Sequence, residues 1–203
     1  NTTLLSSPVQ VGALTTWSQA ALAGSYTLAI ASGKLYACGY NAFGNLGTGD
    51  TTSRSSLVQV GALTTWLKVT AGQYSSLAIK TDGTLWAWGA NTYGKLGLGD
   101  TTNRNSPVQV GALTTWAEVA SDGSHTIAVK TDGTLWAFGR NNYGQLAQGN
   151  TTDYSSPVQV GALTTWSKIA VGENTSLVVK TDGTFYSWGY NGYGVLGLGN
   201  STN

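Results

Sequence analysis

Apolar and polar residues alternate along this chain in short runs and never keep the spacing of a helix. In SLAIK (76–80) and TLWAW (84–88), β-branched or aromatic residues alternate with small or polar ones, which is the period of a strand. An Asp-Gly pair at 82–83 separates the two runs, and Gly accepts the positive φ that a tight hairpin needs. The pattern therefore predicts an all-β fold.

This hairpin belongs to a unit that occurs four times. The string VQVGALTTW is identical at 9–17, 58–66, 108–116 and 158–166, so its tryptophans are 49, 50 and 50 residues apart. The first repeat is one residue shorter than the others, and the difference lies in a turn, where the first copy reads ASGK (31–34) and the second reads KTDGT (80–84). We divide the single domain, 1–203, into repeats at about 1–49, 50–99, 100–149 and 150–199. A period near 50 is typical of propellers.

Each unit supplies four strands, the number in one propeller blade. In the second copy they are KVTA (68–71), SSLAIK (75–80), TLWAWG (84–89) and LVQV (57–60). Proline opens the last of these in the other copies, and because it cannot donate to a strand ladder, we expect this strand at the outer edge. Those prolines are Pro8, Pro107 and Pro157.

The remaining parts of the unit read as connections. Gly-rich LGLGD (96–100) is expected to lead to the outer strand, and in the invariant string GAL is the turn that leaves the blade. TTW then starts the inner strand of the next blade. The string is therefore predicted to be the hinge between blades, with Trp17, Trp66, Trp116 and Trp166 packed in the wedges.

The segment from Ala71 to Val110 and its counterparts resemble the regulator of chromosome condensation repeat family, in the order hairpin, WG-x-N and YG-x-LG-x-G. The resemblance covers nearly the whole chain and implies a propeller, usually of seven four-stranded blades. Members include exchange factors for small GTPases, chromatin binders, a plant light receptor and secreted beta-lactamase inhibitors. This chain departs from the family in having four units and in keeping only one of the histidines common before the second strand, His125. Fold alone does not transfer function.

The two ends of the sequence overlap. Asn1–Thr3 aligns with Asp50–Thr52 and with Asn200–Thr202, so the last blade is expected to lack an outer strand that residues 8–11 could supply. Four blades must splay by about 90° each, eight by about 45° and seven by about 51°. We therefore expect two chains to form an eight-bladed ring by exchanging N-terminal strands, a homodimer. The alternative is that the units belong to a longer array.

Composition narrows the classes of partner. The net charge of +1 and the 9% of charged residues give no electrostatic basis for binding nucleic acid or an anionic membrane. The apolar runs are only strand-sized, too short to span a bilayer. The low charge and the Thr, Ser and Asn content favour a bacterial or phage-type protein at an extracellular or cell-surface location, or a designed repeat protein.

The sequence also offers little for catalysis, metal binding or a cofactor. Its one cysteine, Cys38, aligns with Trp88, Phe138 and Trp188 and is predicted to be a buried core thiol. Hairpin-turn aspartates are expected to cap their own backbone. They are Asp82, Asp132 and Asp182, and Asp50 and Asp100 are interpreted in the same way because Asn replaces them in later copies. One histidine cannot form a His-based metal site. We expect a protein that is not an enzyme and carries no cofactor.

Binding is the better hypothesis, and loop positions that differ between repeats indicate where. One set is Tyr40, Ala90, Arg140 and Tyr190; a second is Asn45, Lys95, Gln145 and Val195. Two further sets lie at 73–74, 123–124 and 173–174, and at 4–5, 53–54, 103–104 and 153–154. Tyr and Arg are enriched at interface hot spots. The candidate binding residues are Tyr40, Arg140, Tyr190, Lys95, Tyr74, His125, Arg54 and Arg104.

Neutral drift on a solvated loop would produce the same differences. By contrast, the rings of Phe43, Tyr93, Tyr143 and Tyr193 recur at one position and are predicted to pack between blades. The leading hypothesis is a non-enzymatic propeller that binds a protein ligand or acts as a scaffold. The alternatives are a structural unit of a larger fibre or surface assembly, and a glycan-binding propeller that uses loop tyrosines and asparagines.

Overall fold

A computed structural model describes residues 6–202 of the chain, so the aligned segment Asn1–Thr3 and the variable pair Leu4–Leu5 lie outside the described residues. The described part forms four antiparallel sheets, which we number as blades 1 to 4. Blade 1 contains β1 (Trp17–Ala23), β2 (Tyr26–Ala31), β3 (Lys34–Gly39) and β4 (Arg54–Gln59). Blade 2 contains β5 (Trp66–Gly72), β6 (Ser75–Lys80), β7 (Leu85–Gly89) and β8 (Arg104–Gln109). Blade 3 contains β9 (Trp116–Ser121), β10 (His125–Lys130), β11 (Leu135–Gly139) and β12 (Tyr154–Gln159), and blade 4 contains β13 (Trp166–Val171), β14 (Thr175–Lys180) and β15 (Phe185–Gly189).

The strand order confirms that blades 1 to 3 each take their outer strand from the following repeat. In blade 1 the sheet runs β1-β2-β3-β4, with Ala37 opposite Val58 and Gly39 opposite Arg54. A register shift between these two pairs marks a bulge, which lets the ladder resume beyond the predicted strand. The outer strand therefore begins at Arg54, three residues before its predicted start at Leu57.

The hairpin turn is held by the interactions that its sequence predicts. The Asp82 carboxylate accepts hydrogen bonds from the Thr84 amide at 3.0 Å and from the Thr84 hydroxyl at 2.6 Å. These bonds lower the pKa of Asp82 below its usual range. Gly83 holds φ +76°, and a Cβ there would lie 2.1 Å from the Thr114 carbonyl oxygen, so only Gly fits. The backbone-capping interpretation of this aspartate is confirmed.

The core consists of clusters that fill the wedges between consecutive blades. Trp66, at the start of the inner strand of blade 2, is buried with Leu46 and Val60 of blade 1 and with Trp88 of its own blade. Trp116 and Trp166 lie in the corresponding wedges between later blades. The ammonium of Lys80 is 3.5 Å from the Trp86 ring centroid, an arrangement that recurs in blades 3 and 4. The tryptophan at each of these hinges therefore packs against both of the blades that the hinge joins.

The two ends of the array differ from its interior. Blade 4 has three strands, as predicted, and residues 8–11 do not belong to any strand. The prediction that Cys38 is a buried core thiol is wrong: its side chain is only partly buried, because no blade within residues 6–202 packs against that face of blade 1. Partial burial raises the pKa of this thiol. Among residues 6–202 there is no helix with the length and apolar character needed to cross a membrane.

Candidate functional site

Repeat-to-repeat differences concentrate on one face of the array because of the antiparallel strand order. The turns between first and second strands and the loops between third and fourth strands emerge at the same ends of the sheets. The variable residues of 40–53 and 73–74 and their counterparts therefore share one face. The opposite face carries the hairpin turns and the invariant GALTT connections. The first face is thus the place to look for a binding site.

Each loop on this face is fixed by one invariant, fully buried asparagine. In blade 2 the Asn91 side chain accepts a hydrogen bond from the Leu96 amide at 2.9 Å and donates to the Asp100 carbonyl at 2.9 Å. Asp100 in turn accepts from the Thr102 amide at 2.8 Å and pairs with Arg104 at 2.5 Å. The Thr102 bond is the main reason that the pKa of Asp100 lies below its usual range. The loop is consequently a rigid support.

These contacts also show what two candidate binding residues do. Arg104 and Arg54 each pair with an aspartate four residues earlier and donate to a carbonyl two residues earlier. Both arginines are therefore engaged within their own loops. Asp50 and Asp100 accept hydrogen bonds from the backbone amides of Thr52 and Thr102, which confirms their interpretation as backbone-capping residues.

A group of aromatic rings covers the junction of blades 1 and 2 on this face. The rings of Tyr40 and Tyr74 have centroids 5.5 Å apart, and those of Phe43 and Tyr74 are 5.0 Å apart. Tyr40 also contacts Phe43, at 6.3 Å. Tyr74 belongs to blade 2 and the other two rings to blade 1, so the structure brings together residues from two repeats. Two candidates, Tyr40 and Tyr74, meet here.

The next two junctions carry related groups. The Arg140 guanidinium lies 4.7 Å from the Tyr93 ring centroid, across the junction of blades 2 and 3. Tyr190 contacts Tyr143 of the preceding blade at 4.9 Å and Tyr193 of its own at 6.1 Å. We call these side chains together the aromatic face. Its members are Tyr40, Phe43, Tyr74, Tyr93, Arg140, Tyr143, Tyr190 and Tyr193.

The aromatic face is both packed and accessible. Phe43, Tyr93 and Tyr143 reach the neighbouring blade as predicted, yet Tyr40, Tyr93, Tyr143 and Tyr193 are all exposed to solvent. Tyr74 and Tyr93 also hold φ of 63° and 64°, a conformation that costs free energy for a non-glycine residue. Strained residues of this kind cluster at functional sites. The sequence signal at the recurring position, an aromatic ring in every loop, indicated packing and left this exposure undetected.

Two further candidates lie beneath this face in the blade junctions. Lys95 is almost fully buried and donates to the carbonyls of Gln73 at 2.7 Å and Gly123 at 3.0 Å. Burial lowers the pKa of Lys95 to about 8, against the opposing effect of the Asp122 charge. Because its ammonium already bridges two turns, Lys95 supports the aromatic face from below.

His125 occupies a similar interior position. It is fully buried, with Nε2 2.8 Å from the Ser176 hydroxyl of the next blade, and burial lowers the pKa of the imidazole to about 4. Ser176 is itself buried and donates to the Gln145 carbonyl at 2.8 Å. A histidine beside a serine is the beginning of a nucleophilic pair, but a substrate could not reach this one without separating the blades. The pair instead joins blade 3 to blade 4.

Beside the ends of the inner strands the same face opens into a cavity of about 390 Å³. Its walls include Leu22, Tyr74, Asp122 and Val171, one from each of the four blades. Burial, together with the charge of Glu173, raises the pKa of Asp122 above its usual range. Within residues 6–202, His, Cys, Asp and Glu form no cluster of three or more that could hold a metal ion.

Comparison with known proteins defines the family and the fold. The sequence profile of the regulator of chromosome condensation (RCC1) repeat matches residues 32–79, 82–129 and 132–179. A second profile of the same repeat matches 66–95, 118–145 and 166–195. The two together account for most of the chain. No curated protein shows significant similarity to the sequence.

Solved structures resemble the array closely although their sequences do not. Prp20p from Saccharomyces cerevisiae superimposes with a TM-score of 0.83 over 95% of this chain and 50% of its own, at 20% identity. Human WBSCR16 does so with a TM-score of 0.77 over 86% of this chain and 47% of its own, at 23% identity. Identities this low establish the fold alone. The chain spans about half the length of these structures.

Proposed function

Because the chain belongs to the regulator of chromosome condensation (RCC1) repeat family, we propose that it is a protein-binding propeller module whose ligand docks on the aromatic face. The observation that carries this proposal is a set of tyrosines and one arginine on one face, of which Tyr40, Tyr93, Tyr143 and Tyr193 are exposed, whereas Tyr40, Arg140 and Tyr190 hold a position that differs between repeats. Tyr and Arg dominate the energetic centres of protein interfaces. A rigid loop also loses little conformational entropy when it binds.

Structures with the same fold support a role in protein binding. Prp20p was described with its binding to Gsp1p and histones, and yeast RCC1 (Prp20) was solved bound by Kap60. These partners were described for Prp20p and yeast RCC1 themselves. The present chain carries a net charge of only +1, so its ligand is expected to be recognised through aromatic packing and hydrogen bonds more than through charge.

Truncation of side chains on each face tests the assignment. A variant with Tyr40→Ala, Arg140→Ala and Tyr190→Ala removes three side chains of the aromatic face. Its matched control, Leu63→Ala, Leu113→Ala and Leu163→Ala, removes three exposed side chains from the opposite face. A protein captured by the wild type from a lysate of the source organism is purified, and its affinity for all three forms is measured by calorimetry.

The aromatic-face variant is expected to bind at least about thirtyfold more weakly, since loss of one hot-spot side chain costs about 2 kcal/mol. The control is expected to bind as the wild type does. Equal weakening by both variants, or by the Leu variant alone, contradicts the assignment to the aromatic face. Far-UV circular dichroism of each variant verifies the fold.

The array is also proposed to complete an eight-bladed ring with a second copy of the chain, by exchange of N-terminal strands. Blade 4 lacks a fourth strand, and residues 8–11 resemble the outer strands of blades 1 to 3. The four blades superimpose on about half of a longer chain of the same fold, which supports an open array over a closed four-bladed ring. Closure would cover a strand edge that otherwise promotes aggregation.

Sedimentation equilibrium tests the ring. Two copies give twice the chain mass of 21.0 kDa, and the mass should hold over a wide concentration range. A mass of one chain at every concentration contradicts the ring. A mass that keeps growing with concentration contradicts it as well and favours a fibre, in which heterologous contacts do not close.

A further inference from the structure

The two ends of the array expose positions that are buried wherever another blade follows or precedes. Val195 in blade 4 is 52% exposed, whereas its counterparts are at most 3% exposed. Those counterparts are Asn45, Lys95 and Gln145. Phe185 is 60% exposed, while Leu35, Leu85 and Leu135 at its position are fully buried. Two positions that are buried inside the array are therefore exposed at its end, where they carry the apolar side chains of Val195 and Phe185.

Every internal junction is closed by one conserved type of hydrogen bond. A hydroxyl on the second strand of a blade donates to the backbone carbonyl that precedes the buried leucine in the loop of the blade before it. The three bonds are Ser76 to Asn45 at 2.7 Å, Thr126 to Lys95 at 2.9 Å, and Ser176 to Gln145 at 2.8 Å. The acceptor is always backbone, so the bond survives although the side chain at the acceptor position changes.

An aromatic ring on the third strand packs beside the same carbonyl. Trp88 Nε1 donates to the Asn45 carbonyl at 3.0 Å, and Trp188 Nε1 donates to the Gln145 carbonyl at 2.8 Å. A Cβ placed on Gly47 would lie 2.8 Å from Trp88 Nε1, so the ring rests directly on the loop glycine. Each junction therefore consists of a hydroxyl and a ring on one side, and a carbonyl and a close-packed loop on the other.

Blade 1 presents the first half of such a junction without its second half. Thr27 and Cys38 hold the positions of the hydroxyl and the ring, and with Ala20, Ala29 and Leu57 they line an apolar cavity of about 380 Å³, whose remaining wall comes from residues between 10 and 17 of the same chain. Thr27 lies opposite Cys38 in the ladder of β2 and β3.

Blade 4 presents the second half: the carbonyl of Val195, followed by Leu196 and Gly197. We propose that the Val195–Gly197 turn of one chain docks into the Thr27–Cys38 cavity of a second copy, reproducing between chains the junction that joins blades within a chain. The docking rests on the ring proposed above and identifies the surfaces that close it. In a two-fold ring the junction forms twice. Cys38 is the smallest side chain at its position, so this junction contains a void that the internal ones fill with a ring.

The exchanged strand has a defined register. Val58 lies opposite Ala37 and Gln59 opposite Tyr36 in blade 1, and the same register recurs in blades 2 and 3. Transferred to blade 4, it places Val9 opposite Ser187 and Gln10 opposite Tyr186 of the partner chain. This strand would cover Phe185 and bury Val11, which is 61% exposed whereas Val60 at its position is 2% exposed.

The void at Cys38 gives a test in which a substitution should strengthen association. Cys38→Trp restores the side chain found at Trp88, and its indole could donate to the Val195 carbonyl of the partner chain. The dissociation constant of the dimer, measured by subunit exchange of fluorescently labelled chains, is expected to fall at least about tenfold. Leu63→Trp adds the same side chain to an exposed connection and should leave the constant unchanged. An unchanged or weaker dimer for Cys38→Trp overturns the docking.

Two substitutions at Val195 keep the docking falsifiable if the Trp variant does not fold. Val195→Asp places a charge in the junction and should raise the dissociation constant at least about tenfold. Val195→Asn introduces the residue that blade 1 carries at Asn45 and should preserve the dimer, because the acceptor is the backbone carbonyl. Dimers that are equally stable in all Val195 variants overturn the docking and leave the ring standing, whereas a wild-type monomer overturns both.

A cross-link reports the register and the partner. With Cys38→Ser as background, Val9→Cys and Ser187→Cys are introduced together and oxidised. A disulfide that joins two chains, seen on a non-reducing gel, is expected. Loss of both thiols at the mass of one chain would mean that the N-terminal segment closes on its own blade 4, which overturns the exchange.

Discussion

Burial of His125 makes the stability of this protein depend on pH between about 6.5 and 4. The imidazole is fully buried, and its pKa falls from 6.5 to about 4 because burial disfavours the charged form. Between pH 6.5 and 4 the unfolded chain therefore binds a proton at His125 that the folded chain does not bind. The stabilisation is complete above pH 6.5 and is lost as the pH falls toward 4.

The two pKa values give the size of the effect. Between pH 7.5 and pH 5.0 the free energy of unfolding should fall by about 2 kcal/mol. With a urea dependence of about 2 kcal/mol per molar, the midpoint of unfolding should move down by about 1 M. The measurement is urea unfolding followed by tryptophan fluorescence at both pH values and at one protein concentration.

The repeats themselves supply the control. Blade 1 carries Tyr26 at the position of His125, and its hydroxyl lies 3.1 Å from the Ser76 hydroxyl, as the imidazole lies beside Ser176. His125→Tyr should therefore retain the junction and lose the pH dependence. The carboxyl of Asp122, whose pKa is raised, works in the opposite direction but is present in both proteins. Equal midpoint shifts in the wild type and His125→Tyr would refute the assignment to His125.

Three further substitutions test the framework, each by urea unfolding at pH 7.5. Ala147 holds φ +53° where the other repeats have Gly, so Ala147→Gly should raise the free energy of unfolding by about 1 kcal/mol; an unchanged value would contradict strain at this turn. Asn91→Ala leaves the buried Leu96 amide without its acceptor and should cost about 1–3 kcal/mol, compared with no measurable loss for the exposed Thr101→Ala in the same loop. Lys80→Met removes the cation over Trp86 and should cost about 1 kcal/mol, and an equally large loss for Lys34→Met, at the start of β3 in the first repeat, would show that the ring contact is not the cause.

Features set within a few neighbouring residues were predictable from the sequence. The hairpin at Asp82 and Gly83 depends on bonds that span two residues and on a φ that only Gly adopts easily, so its pattern was sufficient. Proline at 107 and 157 correctly identified the outer strand, because a missing amide donor is a local fact. The repeat period of about 50 residues then predicted one four-stranded blade per repeat.

The candidate site was predictable only in part, since its contacts join residues about 30 to 50 positions apart. The differing loop positions lie on one face, which carries Tyr40, Arg140 and Tyr190, and their role in binding stays a prediction. Nothing in the sequence showed that Tyr74 would meet Phe43, or that Arg140 would cover Tyr93.

Burial was likewise decided by the arrangement of the blades. Lys95 and Val195 occupy one position in the repeat, yet Lys95 is buried and Val195 is exposed. Cys38 and Trp88 share another position, and only the second is covered by a preceding blade. The sequence by itself determined the hairpins, the four-stranded blade and its outer strand, because local sterics and backbone hydrogen bonding dictate them. Tertiary structure alone decided which equivalent side chains are buried and which form a surface, because that depends on whether another blade lies against them.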